Sequence, residues 1–433
     1  RCAGVLRLAR CRPAGGTTLT RILRLAGGGD GVGRLEDGRA VFVPRTAPGD
    51  LVELTGLEGR ARFARARVAR IVEPGPGRAH PRCVHYERDG CGGCQLQHLD
   101  LPTQLEAKRQ IVADALARIG RLEVTVPPVV PAAEAWEYRS RITLALAPGR
   151  RHAGYHPFDR PDRVFPLERC HLARPELMEL WGAVRGALQL LPLDVQQLVL
   201  RVDRAGGRHL VVKARGGQAW TTGPRLRERL ASRGVTATIW WQPDQGALRV
   251  VAGDRTAMPA TVFEQVHPGL ADRIRADAVA ALGELAGVHA WDLYAGIGET
   301  TEALLARGAR VDSVELDRQA VEYAAARGTE AGRVLRHQGR VEDIVGRLAA
   351  PRAVITNPPR AGMAPEAVAA IRVARPARGA YVSCDPATLA RDLAVLCATS
   401  GDAPGFRVAS VCAYDLFPET AHVETVAVLE GLE

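Results

Sequence analysis

The chain has 433 residues, of which 46% are hydrophobic, and a formal net charge of +10. That length exceeds one ordinary core and points to two or three domains, and the composition excludes an intrinsically disordered chain. No apolar run approaches the roughly 18 residues of a membrane span. The basic surplus favours a polyanionic partner, because each phosphate contact releases counterions, although a basic surface that only aids solubility gives the same count.

Residues 1–14 are expected to be a disordered basic leader, with a transit peptide as the alternative, since arginines are present without a signal-peptide apolar core. Residues 15–73 read as short strands near 18–26, 40–44, 51–55 and 62–72, separated by Gly and Pro, which is the pattern of a small β-barrel. Arg60, Arg62, Arg65, Arg67 and Arg70 lie along its last strand. They fit a solvated face and an RNA contact equally well.

Residues 74–262 form an expected α+β middle domain. It opens with Cys83 and the Cys91-Gly-Gly-Cys94 pair, then a helix over 101–120 with Pro102 near its start and Gly120 past its end. Its apolar stripe (Leu105, Ile111, Val112, Ala115, Leu116, Ile119) allows it to pack on the catalytic domain. Strand-like runs follow near 138–147, 198–202, 209–213, 236–241 and 248–251.

From 263 to 433 strands near 290–294, 310–315, 353–356, 379–383, 406–412 and 423–429 alternate with helical stretches. This predicts a doubly wound, Rossmann-like α/β sheet with ligands beyond the carboxyl ends of its strands. The first strand runs into Asp292-Leu293-Tyr294-Ala295-Gly296-Ile297-Gly298, and Glu315 ends the next, roughly the 20-residue offset at which an acid meets ribose hydroxyls. Position 301 is Thr rather than the third glycine of a dinucleotide fingerprint, which points to S-adenosylmethionine instead of NAD. Asn357-Pro358-Pro359-Arg360 forms a stiff loop after a later strand, where a transferred methyl group would lie.

Nine cysteines, odd in number and unevenly spaced, do not make a disulfide framework. A reducing cytoplasm is the expected setting. Cys384, in Ser383-Cys384-Asp385-Pro386, stands where a helix begins, and a helix N-terminus is expected to lower its pKa. Cys397 and Cys412 are read as buried filler. A thiolate there suits one chemistry. Uracil carbon 5 is a poor nucleophile until a thiolate adds at carbon 6, after which a base must remove the carbon 5 proton. Glu424 opens an apolar strand and is the candidate base, with a surface glutamate as the other reading.

Together these residues resemble the RNA (uracil-5-)-methyltransferase family, in its bacterial 23S ribosomal RNA branch, from about residue 15 to 430. The barrel resembles a TRAM domain in its Gly28–Gly33 turn, Val41-Phe42-Val43-Pro44 and Pro48-Gly49-Asp50. Ser383–Pro386 and Phe417–Glu424 match the family's catalytic and C-terminal signatures. The resemblance implies Cys384 as nucleophile and Glu424 as base. It also implies Gln265, Tyr294, Gly296, Glu299, Glu315 and Asn357 as contacts to S-adenosylmethionine, and Phe263 beside the target base. It implies Cys83, Cys91, Cys94 and Cys170 as ligands of a [4Fe–4S] cluster with a structural or RNA-positioning role, where a Cys-x-x-Cys pair alone suits zinc as well. Asn357 stands where the family usually has Asp, and Glu299 and His267 where Asn is common. The expected partner is RNA, ribosomal ahead of transfer RNA, bound by a monomer. Two other readings are an exocyclic amino methyltransferase, suggested by Asn-Pro-Pro, and a non-catalytic iron–sulfur RNA-binding protein.

Overall fold

The computed structural model describes residues 18–150, 152–216, 220–244, 246–254, 264–327, 332–399 and 405–432. Both the leader and Phe263 lie outside the described residues. The chain divides into two compact units, one ending at Ala79 and the other starting at His80.

The first unit is a six-stranded sheet. Thr18–Arg21 pairs with the strand Leu51–Gly59, while Arg24–Leu25, immediately downstream, pairs with Gly31–Arg34. These two short segments stand at opposite ends of the strand order. The sheet therefore closes on itself as a barrel. Ile22, Val41, Val43, Val52 and Ala64 fill it. Along Phe63–Glu73, Ala64 and Ala66 face inward while Arg65 and Arg67 face out, the period of two that a strand imposes.

In the second unit, helix α1 (Leu101–Ala115) starts on Asp100, whose carboxylate accepts from Thr103 N at 2.9 Å. A wider turn, Leu116–Gly120, continues it. Its buried Val112, Ala115 and Leu116 share one core with Tyr381, Leu389 and Leu393 of the C-terminal sheet layers.

A seven-stranded middle sheet runs, edge to edge, Arg249–Ala252, Thr238–Pro243, Arg208–Ala214, Val195–Val202, Arg141–Leu146, Ala153–Tyr155 and Phe165–Pro166. Helices Pro175–Arg185 and Gly223–Ala231 cover one face, burying Trp181, Leu198, Leu210 and Leu226.

The C-terminal sheet has seven strands: β1 (His289–Leu293), β2 (Arg310–Glu315), β3 (Val334–Gln338), β4 (Ala353–Thr356), β5 (Arg378–Ser383), β6 (Phe406–Tyr414) and β7 (Glu424–Gly431). The order is β3-β2-β1-β4-β5-β7-β6. The first five are parallel, and β7 runs antiparallel to both β5 and β6. This is the doubly wound sheet the alternation predicts. The edge strand β3 is an addition to those expected. Its Arg336 and His337 and its half-buried pattern leave no apolar run to read.

Topology decides where the chemistry can be. The chain reverses direction across the sheet between β1 and β4, which opens a crevice at their carboxyl ends. Because β7 is antiparallel, its first residue lies at that same edge: Ser383 pairs with Thr425, so Cys384 and Glu424 become neighbours.

Candidate active site

The turn after β1 is built for close approach. Tyr294 (φ 63°), Gly296 (φ 57°) and Gly298 (φ 82°) all take left-handed backbone. A Cβ on Gly296 would meet nothing, so the space above it is open. Gly296 N donates to Glu315 Oε2 at 2.8 Å, and Asp317 N donates to Oε1 at 2.7 Å. The acid is thereby aimed along the turn. Beneath, buried Asp292 accepts from Thr301 Oγ1 at 2.5 Å, and burial pushes its carboxyl up to about 6. Thr301, where a dinucleotide site has glycine, is thus a strut for the turn. Asn357 is exposed at the end of β4, and its backbone N–H donates to Leu293 O at 3.2 Å. Half-buried Gln265 lies in the segment before helix α2 (Pro268–Ala280).

Glu299 has other business. It opens helix α3 (Glu299–Ala306), and Arg204 and Arg275 each claim one of its oxygens. Glu264 and Asp272 extend the network to Arg201 and Arg204. Each Glu299 oxygen keeps a further lone pair, so the two guanidiniums orient the carboxylate and leave it able to accept from a ligand. His267, the other departure, is buried, stacked on Tyr138 at 5.2 Å, with Nε2 3.2 Å from Glu134 O.

Cys384 is half-buried, just before helix α4 (Pro386–Cys397). The expected lowering of its pKa is not met. Burial pushes the thiol up and nearby Glu424 adds to the effect, while Arg360 opposes it. The helix start offers little to offset this, because Asp385 caps it, accepting from Ala387 N and Thr388 N, first-turn N–H groups that would otherwise favour a thiolate. Cys397 and Cys412 are half-buried against the cores beneath them.

Glu424 is 1% exposed, which excludes the surface-glutamate reading. Its Oε2 has no hydrogen-bond partner among the described residues, and burial raises the carboxyl to about 8, with Arg360 the opposing influence. A buried, unpartnered carboxyl beside a thiol is costly unless a ligand uses it.

Two neighbours, Arg360 and His422, lie in motifs the sequence singles out, but the sequence alone gives neither a role. Arg360 follows the two prolines. Its backbone O accepts from Thr388 Oγ1 at 3.1 Å, and its guanidinium stands 3.4 Å from His422 Nε2. Burial and Arg360 push His422 down to about 4, so it is neutral and can accept from the guanidinium. The signal was available in Arg360 itself, a charge immediately after a rigid loop aimed at the site.

Away from this edge, Cys83, Cys91, Cys94 and Cys170 line one cavity together with Arg139 and Tyr155. Burial pushes the Cys83 and Cys94 thiols up. Among the described residues, no three His, Cys, Asp or Glu side chains converge closely enough to hold a single metal ion.

Comparison with known proteins decides the family. Residues 305–431 match the tRNA (uracil-5-)-methyltransferase family model, and residues 16–69 match the TRAM domain. A 23S rRNA (uracil(1939)-C(5))-methyltransferase, RlmD, of Chromohalobacter salexigens is 33% identical over 94% of this chain and 88% of its own. This chain belongs to the RNA uracil-C5 methyltransferase family. An RNA methyltransferase of Thermosynechococcus vestitus is 34% identical over 96% of this chain and 98% of its own. The solved Pyrococcus abyssi tRNA (uracil-54, C5)-methyltransferase, in complex with S-adenosyl-L-homocysteine, shares the fold, with TM-score 0.67, 23% identity, and coverage of 95% of this chain and 100% of its own. The uracil-C5 methyltransferase is thus an RNA-modifying enzyme with a TRAM barrel. Among its described residues no helix is long and apolar enough to cross a membrane.

Proposed function

We propose that this enzyme transfers a methyl group from S-adenosylmethionine to carbon 5 of a uridine in 23S ribosomal RNA, through a covalent bond from Cys384 to carbon 6. The observation that carries this reading is the juxtaposition, at the ligand edge of the sheet, of a half-buried thiol and a buried, unpartnered carboxyl. The full-length likeness to RlmD supports ribosomal RNA as substrate.

Cys384 Sγ attacks carbon 6, and the ring becomes an enolate that is nucleophilic at carbon 5. Carbon 5 then takes the methyl group from the sulfonium. Glu424 removes the carbon 5 proton, the double bond re-forms, and the thiolate departs. Arg360 faces both groups and favours their ionised forms. Gly296, Tyr294 and Glu315 line the cofactor's route, with Asn357 and Gln265 at its reactive end. Glu299 acts by fixing α3 through Arg204 and Arg275. The target base must leave its helix to present carbons 5 and 6 together. An exocyclic amine would need no thiol and no buried base, which sets the amino-group reading aside.

Four thiols around one cavity fit an iron–sulfur cluster by donor chemistry. A Cys-x-x-Cys pair alone suits zinc as well, and it is the full set of four thiols that favours an iron–sulfur cluster. Cys83, Cys91, Cys94 and Cys170 would hold it. Bound there, it would crosslink three chain segments without entering the methyl transfer.

Mapping 5-methyluridine in total RNA from a deletion strain tests the assignment. Loss at one 23S rRNA position, restored by the parent gene but not by Cys384→Ala, is expected. Loss in transfer RNA alone would overturn the ribosomal assignment.

A further inference from the structure

The segment that leads into β7 is held in an unusual way. Glu419 is buried with φ 66°, a left-handed conformation that ordinary side chains avoid and keep only when their surroundings enforce it. The enforcing groups are far away in sequence. Gln104, on α1, clasps Glu419 from both sides. Its Nε2 donates to Glu419 Oε2 at 3.1 Å, and its Oε1 accepts from Glu419 N at 3.3 Å.

The loop after Cys94 completes the grip. Gln95 N and Leu96 N both donate to Glu419 O at 3.1 Å, and Gln95 Oε1 accepts from Ala421 N at 3.3 Å. Tyr138 Oη donates to Pro418 O at 3.1 Å. One turn of α1 further on, Lys108 pairs with Asp415 and donates to Phe417 O at 3.0 Å. By contrast, the Glu424 Oε2 is unpartnered among the described residues. The Glu424 backbone is set by pairing with Tyr414 on β6 and by the turn that leads into β7.

We propose that Gln104 and Glu419 are positioning residues for the proton-removal step: their two-way clasp fixes the 417–422 turn so that the Glu424 carboxylate meets the carbon 5 proton of the methylated adduct. This rests on the reading of Glu424 as the base. In that step the proton passes to Glu424, the carbon–hydrogen pair becomes the carbon 5–carbon 6 double bond, and the carbon–sulfur pair returns to Cys384 as thiolate. Attack and methyl transfer precede it and use Cys384, which sits between β5 and α4, outside the clasp. Loosening the clasp should therefore slow the last step and spare the earlier ones. A role confined to folding would not separate them.

The full-length enzyme, its Gln104→Met, Glu419→Ala and Glu419→Gln variants, and Glu424→Gln as control are compared on two RNAs. RNA carrying 5-fluorouridine leaves no proton on carbon 5, so adduct formation reports attack and methyl transfer alone. Ordinary RNA reports release, and a methyl-labelled adduct on a denaturing gel reports its failure. Gln104→Met and Glu419→Ala should form the fluorinated adduct at the parent rate yet release product about tenfold or more slowly, the scale of loss for a misplaced group. Methylated adduct should accumulate. Glu419→Gln keeps an acceptor for Gln104 and should behave as the parent. Equal slowing of both steps in Gln104→Met and Glu419→Ala, or slowing of neither, would overturn the proposal. Should Glu419→Ala fail to fold, Gln104→Met, which keeps the side-chain length, carries the test. If Glu424→Gln itself releases product at the parent rate, the base is misassigned and the proposal falls with it.

Discussion

At the scale of single residues, the active site is defined by two acids held in the wrong form. In the proposed mechanism Cys384 and Glu424 both work deprotonated, and burial pushes both toward the protonated form, Glu424 to about 8. Activity should therefore rise with pH from neutrality through about 8, the midpoint of Glu424 ionisation, and go on rising above it as Cys384 follows. kcat/KM across pH 6 to 9.5, which reports the free enzyme, measures this; a flat profile would contradict it. Arg360 opposes both shifts, so Arg360→Ala should move the rise to higher pH, and Arg360→Lys should move it less. The same carboxyl leaves a signature in stability. Its folded value lies above its unfolded value near 4.5, so the folded state holds the extra proton. That contribution is complete below about 4.5 and is lost as pH climbs through about 8. Glu424→Gln cannot ionise and should gain melting temperature relative to the parent as pH rises across that window. These roles were partly legible. A glutamate opening an apolar strand announces a buried charge, and a cysteine between a strand and a helix announces an edge. The thiol's raised pKa was not legible, because only the folded chain shows how far Cys384 is buried and that Glu424 lies beside it.

At the scale of elements, helix α1 is as much part of the active site as β5 or β7. Its apolar stripe is visible in sequence, and its packing beneath α4 follows the stripe. Its polar residues carry the less visible message. Lys108, one of two lysines in the chain, sits on that buried face, 0% exposed. Its partner Asp415 is 307 positions away, beyond the reach of any local pattern. Burial pushes the Lys108 ammonium down while Asp415 and Glu419 oppose the loss of charge. Removing one partner leaves the other charged and dry, so Lys108→Ala should cost about 3–5 kcal/mol in denaturant unfolding. Replacing both, as Lys108→Met with Asp415→Leu, should recover much of that stability, since apolar side chains of similar volume often substitute for a buried pair. A double variant no more stable than the single one would mean that the Lys108 bond to Phe417 O matters more than the charge pair. The helices covering the middle sheet were unread because the surrounding strand signals are stronger. Strand β3 was unread because an edge needs no apolar run.

At the scale of the whole molecule, charge is the property that reaches furthest, and it is the one the sequence leaves ambiguous. The barrel's closure from two segments of one broken strand follows its turn spacing, and the doubly wound order follows from strand–helix alternation, so both architectures could be read in advance. The purpose of the exposed arginines could not, because a solvated face and a phosphate-binding face have the same alternation. The structure narrows this. Arg70 lies 3.4 Å from Glu53, and Arg65 lies 3.9 Å from Asp30 with two-thirds of its side chain exposed. Loose pairs of this kind contribute little to folding. If their value is instead in binding, it must appear as counterion release. The slope of log affinity against log salt is about −0.7 per phosphate neutralised on single-stranded RNA, so Arg65→Gln, Arg67→Gln and Arg70→Gln together should reduce it by about 2. Melting temperature should stay unchanged, because all three side chains point outward from an intact core. Filter-binding titrations of a 23S rRNA fragment between low and physiological salt supply the slope. An unaltered slope, with weaker binding or without it, would show that the strand's arginines only face water, and that the phosphates are met by the second unit.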